Sequence, residues 1–215
     1  MQILNDFLPY GKQYIDEDDI NAVVETLKSD WLTTGPKVEQ FENAFCEFTN
    51  SKFAIAVNSG TAALHSSLFA INIDKGDEVI VPCMTFASTA NSVVMQGGIP
   101  VFVDVNEDDL LINPNKVEEK INKSTKAVIA VDYAGHAADY NILKEITKKY
   151  NLNLIADACH AIGGKFEDKN VGELADLSTF SFHPVKHITT GEGGIISTNN
   201  KDYYDRMKFF RNHGI

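Results

Sequence analysis

The sequence predicts an α/β fold with a mostly parallel, seven-stranded sheet flanked by helices. From residue 53 onward, short apolar segments typical of buried strands alternate with longer segments of helical periodicity. This alternation indicates parallel strands joined by crossover helices. The chain has 215 residues, 44% of them hydrophobic, which is enough for one large domain with a substantial core. No internal repeat or flexible linker is evident, so we expect a single domain over residues 1–215.

The alternating segments define the expected elements in order. Strands are expected near residues 53–57, 78–81, 99–103, 126–131, 153–156, 176–180 and 194–198. Helices are expected near residues 60–72, 86–96, 114–122, 139–150 and 200–211. Right-handed crossovers place the loops that follow parallel strands at one edge of the sheet, so we expect ligands to bind there.

Two further helices are expected in an N-terminal arm of about residues 1–50. Asp16 is positioned to cap the first helix, whose apolar stripe is formed by Ile20, Val23, Val24 and Leu27. A polar turn around Trp31 leads to the second helix. Its apolar stripe is expected to face inward through Val38, Phe41, Phe45 and Phe48.

Composition excludes several classes of protein. The formal net charge of −11 argues against binding to nucleic acid or to an anionic membrane surface. No apolar run reaches about 18 residues, so no membrane span is expected. Residues 1–10 lack a basic segment followed by a long apolar one, so we expect no secretory signal. Cys46, Cys83 and Cys159 are widely spaced and fit reduced thiols, which favours the cytoplasm.

Lys186 is the most informative residue of the chain. It lies in the glycine-punctuated run 181–194 between two expected strands, and its amine could form a Schiff base with an aldehyde. Asp157, at the end of an apolar run, lies 29 residues upstream. Pyridoxal phosphate needs an anionic partner for its ring nitrogen and an amine for its aldehyde. A lone lysine of this kind is more often a surface residue, so the assignment depends on the segments that follow.

Two segments offer a phosphate site and a ring contact. Residues 58–64 follow a strand and open a helix, where Gly60 permits close approach and Thr61 offers a hydroxyl. The alternative is an ordinary Ser/Thr helix cap. Ser181 could add a second hydroxyl to the phosphate. Phe86 could stack on a planar ring or pack in the core.

The polar residues that follow two other strands remain open to more than one interpretation. His160 could hydrogen-bond Asp157, flank a bound ring or serve only the structure. Asp132 and His136 could meet a substrate or cap the following helix. No cysteine pair accompanies the histidines near Lys186, so no metal site is expected. The glycines after Lys186 are also explained by the turn into the last strand, without any ligand.

Together these segments resemble the DegT-type nucleotide-sugar aminotransferases, which are pyridoxal-phosphate enzymes of fold type I. The matching segments are residues 31–35, 58–61, 82–91, 131–135, 157–160, 181–186, 192–194 and 210–214. They occur in the family's order across nearly the whole chain. Related dehydratases on this fold carry histidine in place of the lysine, so the presence of Lys186 favours transamination.

The resemblance implies a role for each matching residue. Lys186 would form the Schiff base with pyridoxal phosphate, and Asp157 would pair with its ring nitrogen. Phe86 would cover one ring face, and His160 would lie beside the ring. The phosphate would be held by Gly60, Thr61 and Ser181. The substrate would contact Trp31, Thr34, Tyr133 and His187.

Within the family, runs 131–135 and 181–194 resemble enzymes that aminate C4 of a UDP-linked 4-keto-6-deoxy-N-acetylhexosamine for pseudaminic-acid-type sugars. The implied partners are that keto sugar, an amino-acid donor, usually glutamate, and a second subunit in a homodimer. The open alternatives are an aminotransferase for another 4-keto or 3-keto sugar, and another fold-type-I enzyme such as a cysteine desulfurase or an aldolase. An inactive fragment that only binds is a further alternative.

One departure from the family concerns length. Family members continue past the segment 210–214 into a small C-terminal domain, which the resemblance implies is missing from this chain. That domain would complete the substrate cleft and supply a phosphate contact to the partner's site. We therefore expect residues 1–215 to form the cofactor-binding large domain.

Overall fold

The computed structural model describes residues 11–215. Residues 1–10, which include the start of the expected helical arm and the segment that argues against a secretory signal, lie outside the described residues. The helices in the described residues are α1 (Glu17–Lys28), α2 (Pro36–Thr49), α3 (Gly60–Ala70), α4 (Ala87–Met95), α5 (Pro114–Lys120), α6 (Tyr140–Tyr150) and α7 (Lys201–Arg211). A 3₁₀ turn spans Tyr133–Gly135.

The strands are β1 (Phe53–Val57), β2 (Glu78–Pro82), β3 (Ile99–Val103), β4 (Thr125–Val131), β5 (Asn153–Asp157), β6 (Lys165–Phe166), β7 (Lys169–Asn170), β8 (Leu177–Ser181) and β9 (Gly194–Thr198). Seven of them form one sheet in the order β1-β9-β8-β5-β4-β2-β3. β9 is antiparallel to both of its neighbours, and the other six strands share one direction. The predicted mostly parallel sheet is therefore confirmed. The pattern missed the hairpin of β6 and β7 because each strand has only two residues.

Both faces of the sheet are buried under helices. One core cluster joins Leu64 of α3, Val93 of α4 and Met207 of α7 to alternate sheet residues such as Ile155. The opposite cluster joins α2, α5 and α6 to the remaining sheet residues, including Leu154. Burial on both faces explains why the strands read as continuous apolar runs in the sequence.

The two N-terminal helices differ in their contact with this core. Asp16 caps α1 as predicted, and its side chain accepts from the backbone of Asp18 and Asp19. No residue of α1 is buried, so its apolar stripe faces solvent in the described chain. In α2, the prediction that Phe48 faces inward is wrong, since that side chain is 56% exposed. The buried residues are Phe45 and Thr49, and Phe48 lies about 60° around the helix from Phe45, at the rim.

Aromatic packing anchors the segment that carries Lys186. Phe182, directly after β8, is buried and meets Phe41 edge-on, with ring centroids 5.3 Å apart. Phe45 packs on Phe180 in the same way, at 4.9 Å. Edge-to-face contacts between buried rings add to the stabilisation that comes from burial alone. The start of the lysine loop is therefore held by α2.

None of the helices in residues 11–215 combines the length and the apolar character that crossing a bilayer requires.

Candidate active site

The sheet topology brings the predicted site segments to one edge. Because β1, β2, β4, β5 and β8 are parallel, their carboxyl ends point the same way. The segments that leave these ends are residues 58–61, 83–89, 132–136, 158–160 and 182–186. β9 runs in the opposite direction and starts at this edge, where Gly194 pairs with both Val57 and Ser181. The edge therefore collects segments that are far apart in the sequence.

The amino end of α3 forms a close-packed cradle. Ser59 caps the helix by accepting from the backbone N–H of Ala62 at 3.1 Å, so the predicted Ser/Thr cap is present. The N–H groups of Gly60 and Thr61 are in the first turn, where an α-helix offers them no internal acceptor. A Cβ atom on Gly60 would lie 3.0 Å from Ser181 Cβ and 3.0 Å from Cys159 Sγ. Capping and anion binding can therefore coexist at this turn.

Asp157 ends β5 and is 6% exposed. Its Oδ2 accepts from Thr89 Oγ1 at 2.7 Å, and its Oδ1 accepts a longer bond of 3.4 Å from the backbone N–H of Cys159. Within residues 11–215 it forms no ion pair. A buried carboxylate that has only neutral donors favours a cationic partner. Together with the cradle at α3, this carboxylate fits pyridoxal phosphate, which carries a protonated ring nitrogen and an anionic phosphate.

Lys186 lies on the loop 182–193, which closes the antiparallel pair of β8 and β9. The backbone of Phe182 fastens the base of the loop, since its N–H donates to Gly193 O at 2.9 Å and its carbonyl accepts from Thr190 N at 3.1 Å. The Lys186 N–H donates to His183 O at 2.8 Å and forms a tight turn. The Lys186 side chain is half-buried. The lysine is thus carried on a short, internally bonded loop beside the carboxyl end of β5.

The pKa of His160 reflects its burial and the charged groups around it. Burial lowers the pKa of His160 from its usual 6.5, the positive charge of Lys186 lowers it further, and Asp157 raises it. His187 also lowers it. The Tyr133 ring lies 6.2 Å from the His160 ring, between centroids. The structure therefore gathers Lys186, Asp157, Tyr133 and His187 around one histidine that favours its neutral form.

Cys159, between Asp157 and His160, contributes a protonated thiol. Burial raises its pKa well above the usual 9.0, and the nearby Asp157 carboxylate raises it further, while Lys186 acts in the opposite direction. Thiolates are the reactive form of cysteine, so this thiol is chemically quiet at neutral pH.

The sequence model of the DegT/DnrJ/EryC1/StrS aminotransferase family matches residues 13–215. The chain belongs to this family. An uncharacterized protein of Methanocaldococcus jannaschii is 46% identical over 213 residues, which are 99% of this chain and 55% of that protein. This chain therefore spans about half the length of the curated relative that it matches.

Solved structures of sugar aminotransferases share the fold of this family member. A putative sugar aminotransferase from Streptococcus pneumoniae, in its PLP form, is 32% identical with a TM-score of 0.91. The alignment covers 96% of this chain and 58% of that one. Helicobacter pylori PseC, an aminotransferase involved in the biosynthesis of pseudoaminic acid, is 38% identical with a TM-score of 0.91, over 96% of this chain and 56% of that one. These likenesses confirm the predicted α/β fold of pyridoxal-phosphate-dependent aminotransferases.

Gly194, which follows the lysine loop, has a role that the turn alone does not explain. A Cβ atom on Gly194 would lie 2.3 Å from the carbonyl oxygen of Ser59 and 2.9 Å from the backbone nitrogen of Gly60. Real Cβ contacts with backbone are never this short, so the first residue of β9 must be glycine for the strand to back the α3 cradle. Glycine is therefore required at position 194 because the α3 turn leaves no room for a Cβ atom, and not because of its conformational freedom.

Several predicted site residues stand apart from this cluster. Phe86 is the N-cap residue of α4 and is 75% exposed, so its alternative interpretation as a core residue is wrong. Trp31 is 63% exposed, and its hydrogen bonds in the described chain are with Ser29. Thr34 lies in the same turn before α2, in the left-handed backbone region with φ 48°. His136 is exposed.

Asp132 takes a structural place instead of meeting a substrate. It is fully buried, and its Oδ1 accepts from the backbone N–H of Ala138 at 2.9 Å and from Tyr140 Oη at 2.9 Å. Tyr140 is the first residue of α6, so the carboxylate ties the end of β4 to the start of that helix. A capping role for Asp132 is one of the two interpretations that its sequence position allows, but its partner Tyr140 is apparent only in the structure.

Three hydroxyls at this edge were also missed, namely Thr85, Ser88 and Thr89. Ser88 Oγ lies 2.7 Å from Thr61 Oγ1, and Thr85 Oγ1 lies 2.6 Å from Thr89 Oγ1. The segment 82–91 is rich in hydroxyls, which was the available signal. Which of these hydroxyls reaches Asp157 becomes clear only in three dimensions, where it is the hydroxyl of Thr89.

Proposed function

We propose that the protein to which this chain belongs is a pyridoxal-phosphate-dependent aminotransferase of a nucleotide-linked sugar. The observation that carries the proposal is the buried Asp157 carboxylate, without a cationic partner in the described chain, at the same sheet edge as the Lys186 loop and the α3 cradle. Family membership and the PLP form of a neighbouring structure support the cofactor. When bound, pyridoxal phosphate supplies an electron-withdrawing ring that makes a substrate carbon acidic.

Each residue of the edge then has a chemical task. Lys186 Nζ would hold the cofactor covalently at rest and, once free, could carry a proton to and from the reacting carbon. Asp157 would accept a hydrogen bond from the ring nitrogen and favour its protonated form. The first turn of α3, with Gly60 and Thr61, and the hydroxyl of Ser181 would hold the phosphate.

The aromatic residues of the edge position the ring. Phe86 is exposed beside the α4 amino end and free to cover one ring face. His160 would lie beside the ring as a neutral hydrogen-bonding group, since burial and the Lys186 charge lower its pKa. Both roles follow from the family pattern, and the nearby charges of Asp157 and Lys186 support the role of His160.

For the substrate we propose a UDP-linked 4-keto-6-deoxy-N-acetylhexosamine, with glutamate as the amino donor. The runs 131–135 and 181–194 support this choice, as does the likeness to an aminotransferase involved in pseudoaminic acid biosynthesis. Substrate contacts are assigned to Trp31, Thr34, Tyr133 and His187. Tyr133 and His187 lie beside His160, whereas Trp31 and Thr34 lie in the turn before α2.

The described fold would serve as the cofactor-binding large domain of a homodimer. The apolar stripe of α1 supports an assembly in which this surface is covered, because no residue of the helix is buried in the described chain. Activity on the nucleotide sugar would then require the longer protein that the relatives represent.

The cofactor assignment is tested by covalent trapping. The chain is incubated with pyridoxal phosphate, reduced with borohydride and digested, and the labelled peptide is identified by mass spectrometry. We expect a reducible absorbance band and a label on Lys186, with neither in Lys186→Ala. Lys123→Ala, which changes an exposed lysine away from this edge, is the matched control and should be labelled like the wild type. A label on any other lysine would contradict the assignment.

The substrate assignment is tested in two half-reactions on a chain extended to the family's length. Glutamate is expected to remove the reducible band, and the UDP-linked 4-keto sugar to restore it with formation of the amino sugar. A panel with 3-keto sugars and with other nucleotides tests the choice. Restoration by another keto sugar alone would correct the substrate while leaving the transamination chemistry in place.

A further inference from the structure

A chain of hydroxyls leads through the protein to Asp157. Thr89, in the first turn of α4, is fully buried, and its Oγ1 donates to Asp157 Oδ2 at 2.7 Å. Thr85 Oγ1 lies 2.6 Å from the same Thr89 Oγ1. Thr85 precedes Phe86 in the loop that leaves β2, and Thr89 follows three residues later in α4. The three groups therefore form a continuous line from the loop into the core.

The direction of these bonds follows from the number of protons. An ionised carboxylate only accepts hydrogen bonds, and a threonine hydroxyl has one proton to donate. Thr89 therefore gives its proton to Asp157, and Thr85 gives its proton to Thr89. Each donor polarises the next, so the bond to the carboxylate is stronger than that of an isolated hydroxyl.

The other contacts of Asp157 do not replace this bond. Oδ1 accepts only the bond of 3.4 Å from Cys159 N, which exceeds the usual range for N–H···O. Thr89 therefore provides the one short hydrogen bond to the carboxylate among the described residues. It also leaves Oδ1 as the oxygen with free capacity to accept from a ring nitrogen.

We propose that Thr89 is a positioning residue that, with Thr85 behind it, orients the Asp157 carboxylate and stabilises its negative charge for the ring nitrogen of the cofactor. The inference deepens the proposed function and depends on it. Without the Thr89 hydroxyl, the buried carboxylate would keep only the weak bond from Cys159 and would rotate more freely. The carboxylate would then be less well oriented toward the ring nitrogen, and its negative charge would be less stabilised.

The test compares three variants in cofactor binding. Thr89→Val keeps the shape of the side chain but removes the hydroxyl, and Thr89→Ser keeps the hydroxyl. A hydrogen bond to a charged group contributes enough that Thr89→Val should weaken pyridoxal-phosphate affinity about ten- to a hundredfold. Thr89→Ser should remain within about threefold of the wild type, and Thr85→Val should lie between them. Affinity is measured by titration of the absorbance band.

A second measurement separates positioning from packing. The cofactor is labelled with ¹⁵N in its ring, and its NMR shift reports whether the nitrogen is protonated in the bound state. We expect a shift of the protonated type in the wild type and in Thr89→Ser, and a move toward the unprotonated type in Thr89→Val. Thr147→Val, which removes a hydroxyl that donates to Lys144 O within α6, is the matched control for loss of a buried hydroxyl. It should leave both measurements unchanged.

The possible outcomes are distinct. If neither this chain nor the chain extended to the family's length binds the cofactor, the proposed function fails together with the inference that depends on it. If the wild type binds while Thr89→Val gives the same affinity and the same nitrogen shift, the role of Thr89 is refuted and the proposed function stands. If Thr89→Val loses affinity only because it unfolds, its thermal midpoint falls. The affinity of Thr85→Val then tests the inference: a loss relative to the wild type supports it, and an unchanged affinity refutes it.

Discussion

Tyr140 Oη donates to the Asp132 carboxylate, at 2.9 Å from Oδ1 and 3.0 Å from Oδ2, where neither side chain reaches solvent. The backbone N–H of Asp132 also donates to the Asp157 carbonyl at 3.0 Å. The pair therefore connects the start of α6 to the strand end that carries the proposed ring-nitrogen partner. Asp132 and Tyr140 therefore stabilise the site although neither residue belongs to it.

The Asp132 carboxyl should make stability depend on pH. Burial raises its pKa from 3.8 to about 7, the bonds from Ala138 and Tyr140 lower it, and the charge of Asp157 raises it. A raised folded-state pKa means that the native state binds the proton more tightly than the unfolded chain does. The contribution to stability is therefore complete below about pH 4 and is lost as pH rises to about 7.

The variant Asp132→Asn isolates this effect. Its amide can accept from Ala138 N and donate to Tyr140 Oη, so it mimics the protonated acid without titrating. From pH 4 to pH 7, the wild type should lose up to about 4 kcal/mol of unfolding free energy relative to the variant. Urea denaturation at several pH values measures this. Parallel pH profiles for the two proteins would contradict the burial of an ionisable Asp132.

A methyl group at Gly194 should disturb both stability and the cradle. The new Cβ atom would overlap the Ser59 carbonyl, so β9 or the α3 turn must move. Overpacking of this kind costs about 1–3 kcal/mol, and more where backbone cannot yield. We expect Gly194→Ala to lower the urea midpoint and to weaken phosphate and cofactor binding. Gly11→Ala, where a Cβ atom meets nothing within 4 Å, is the control and should behave as the wild type.

His160 should report the charge of Lys186 in the cofactor-free chain. Its pKa lies below 6.5, first because of burial and then because of the Lys186 ammonium. Lys186→Met removes the charge while keeping a long side chain, so the His160 pKa should rise toward its ordinary value. NMR titration of the imidazole measures the change. An unchanged pKa in Lys186→Met, or an equal rise in the control Lys123→Met, would show that the two residues are not neighbours in solution.

The cysteines should differ in reactivity. Cys83 is exposed, and burial and Asp104 raise its pKa, whereas the pKa of Cys159 is held well above 9.0 by burial and by Asp157. A thiol reagent at mildly alkaline pH should therefore modify Cys83 before Cys159, which peptide mapping at short times can follow. Cys83→Ser should remove the fast phase. Modification of Cys159 first would mean that the carboxyl end of β5 is open to reagents.

Much of the fold could be predicted from the sequence because both faces of the sheet are buried. Strands buried under helices appear as short apolar runs, and the predicted bounds of each of the seven agree with the observed bounds within a residue or two. The edge that carries Lys186 and Asp157 follows from the same topology. Once the strands are parallel, the loops after them must meet.

The remaining features depend on how elements pack in three dimensions. Thr89 and Asp157 are 68 residues apart, and only the three-dimensional position of the amino end of α4 selects that threonine from a run of hydroxyls. The exposure of Phe48 depends on the rotation of α2 about its axis. The demand for glycine at Gly194 depends on a carbonyl contributed by a turn more than a hundred residues earlier. Local patterns contain none of this information.

The place of β9 in the sheet has a consequence for how the chain acquires its shape during synthesis. β1 has β9 as its strand neighbour in the described sheet, and Val57 pairs with Gly194, 137 positions later. A nascent chain that has emerged as far as α6 therefore carries β1 without a partner, and contacts of such long range form slowly. The turn that begins α3 gains its contact with Gly194 only when β9 joins the sheet. A ribosome stalled before residue 194 should accordingly display a chain with most of its helices and no competent anion cradle.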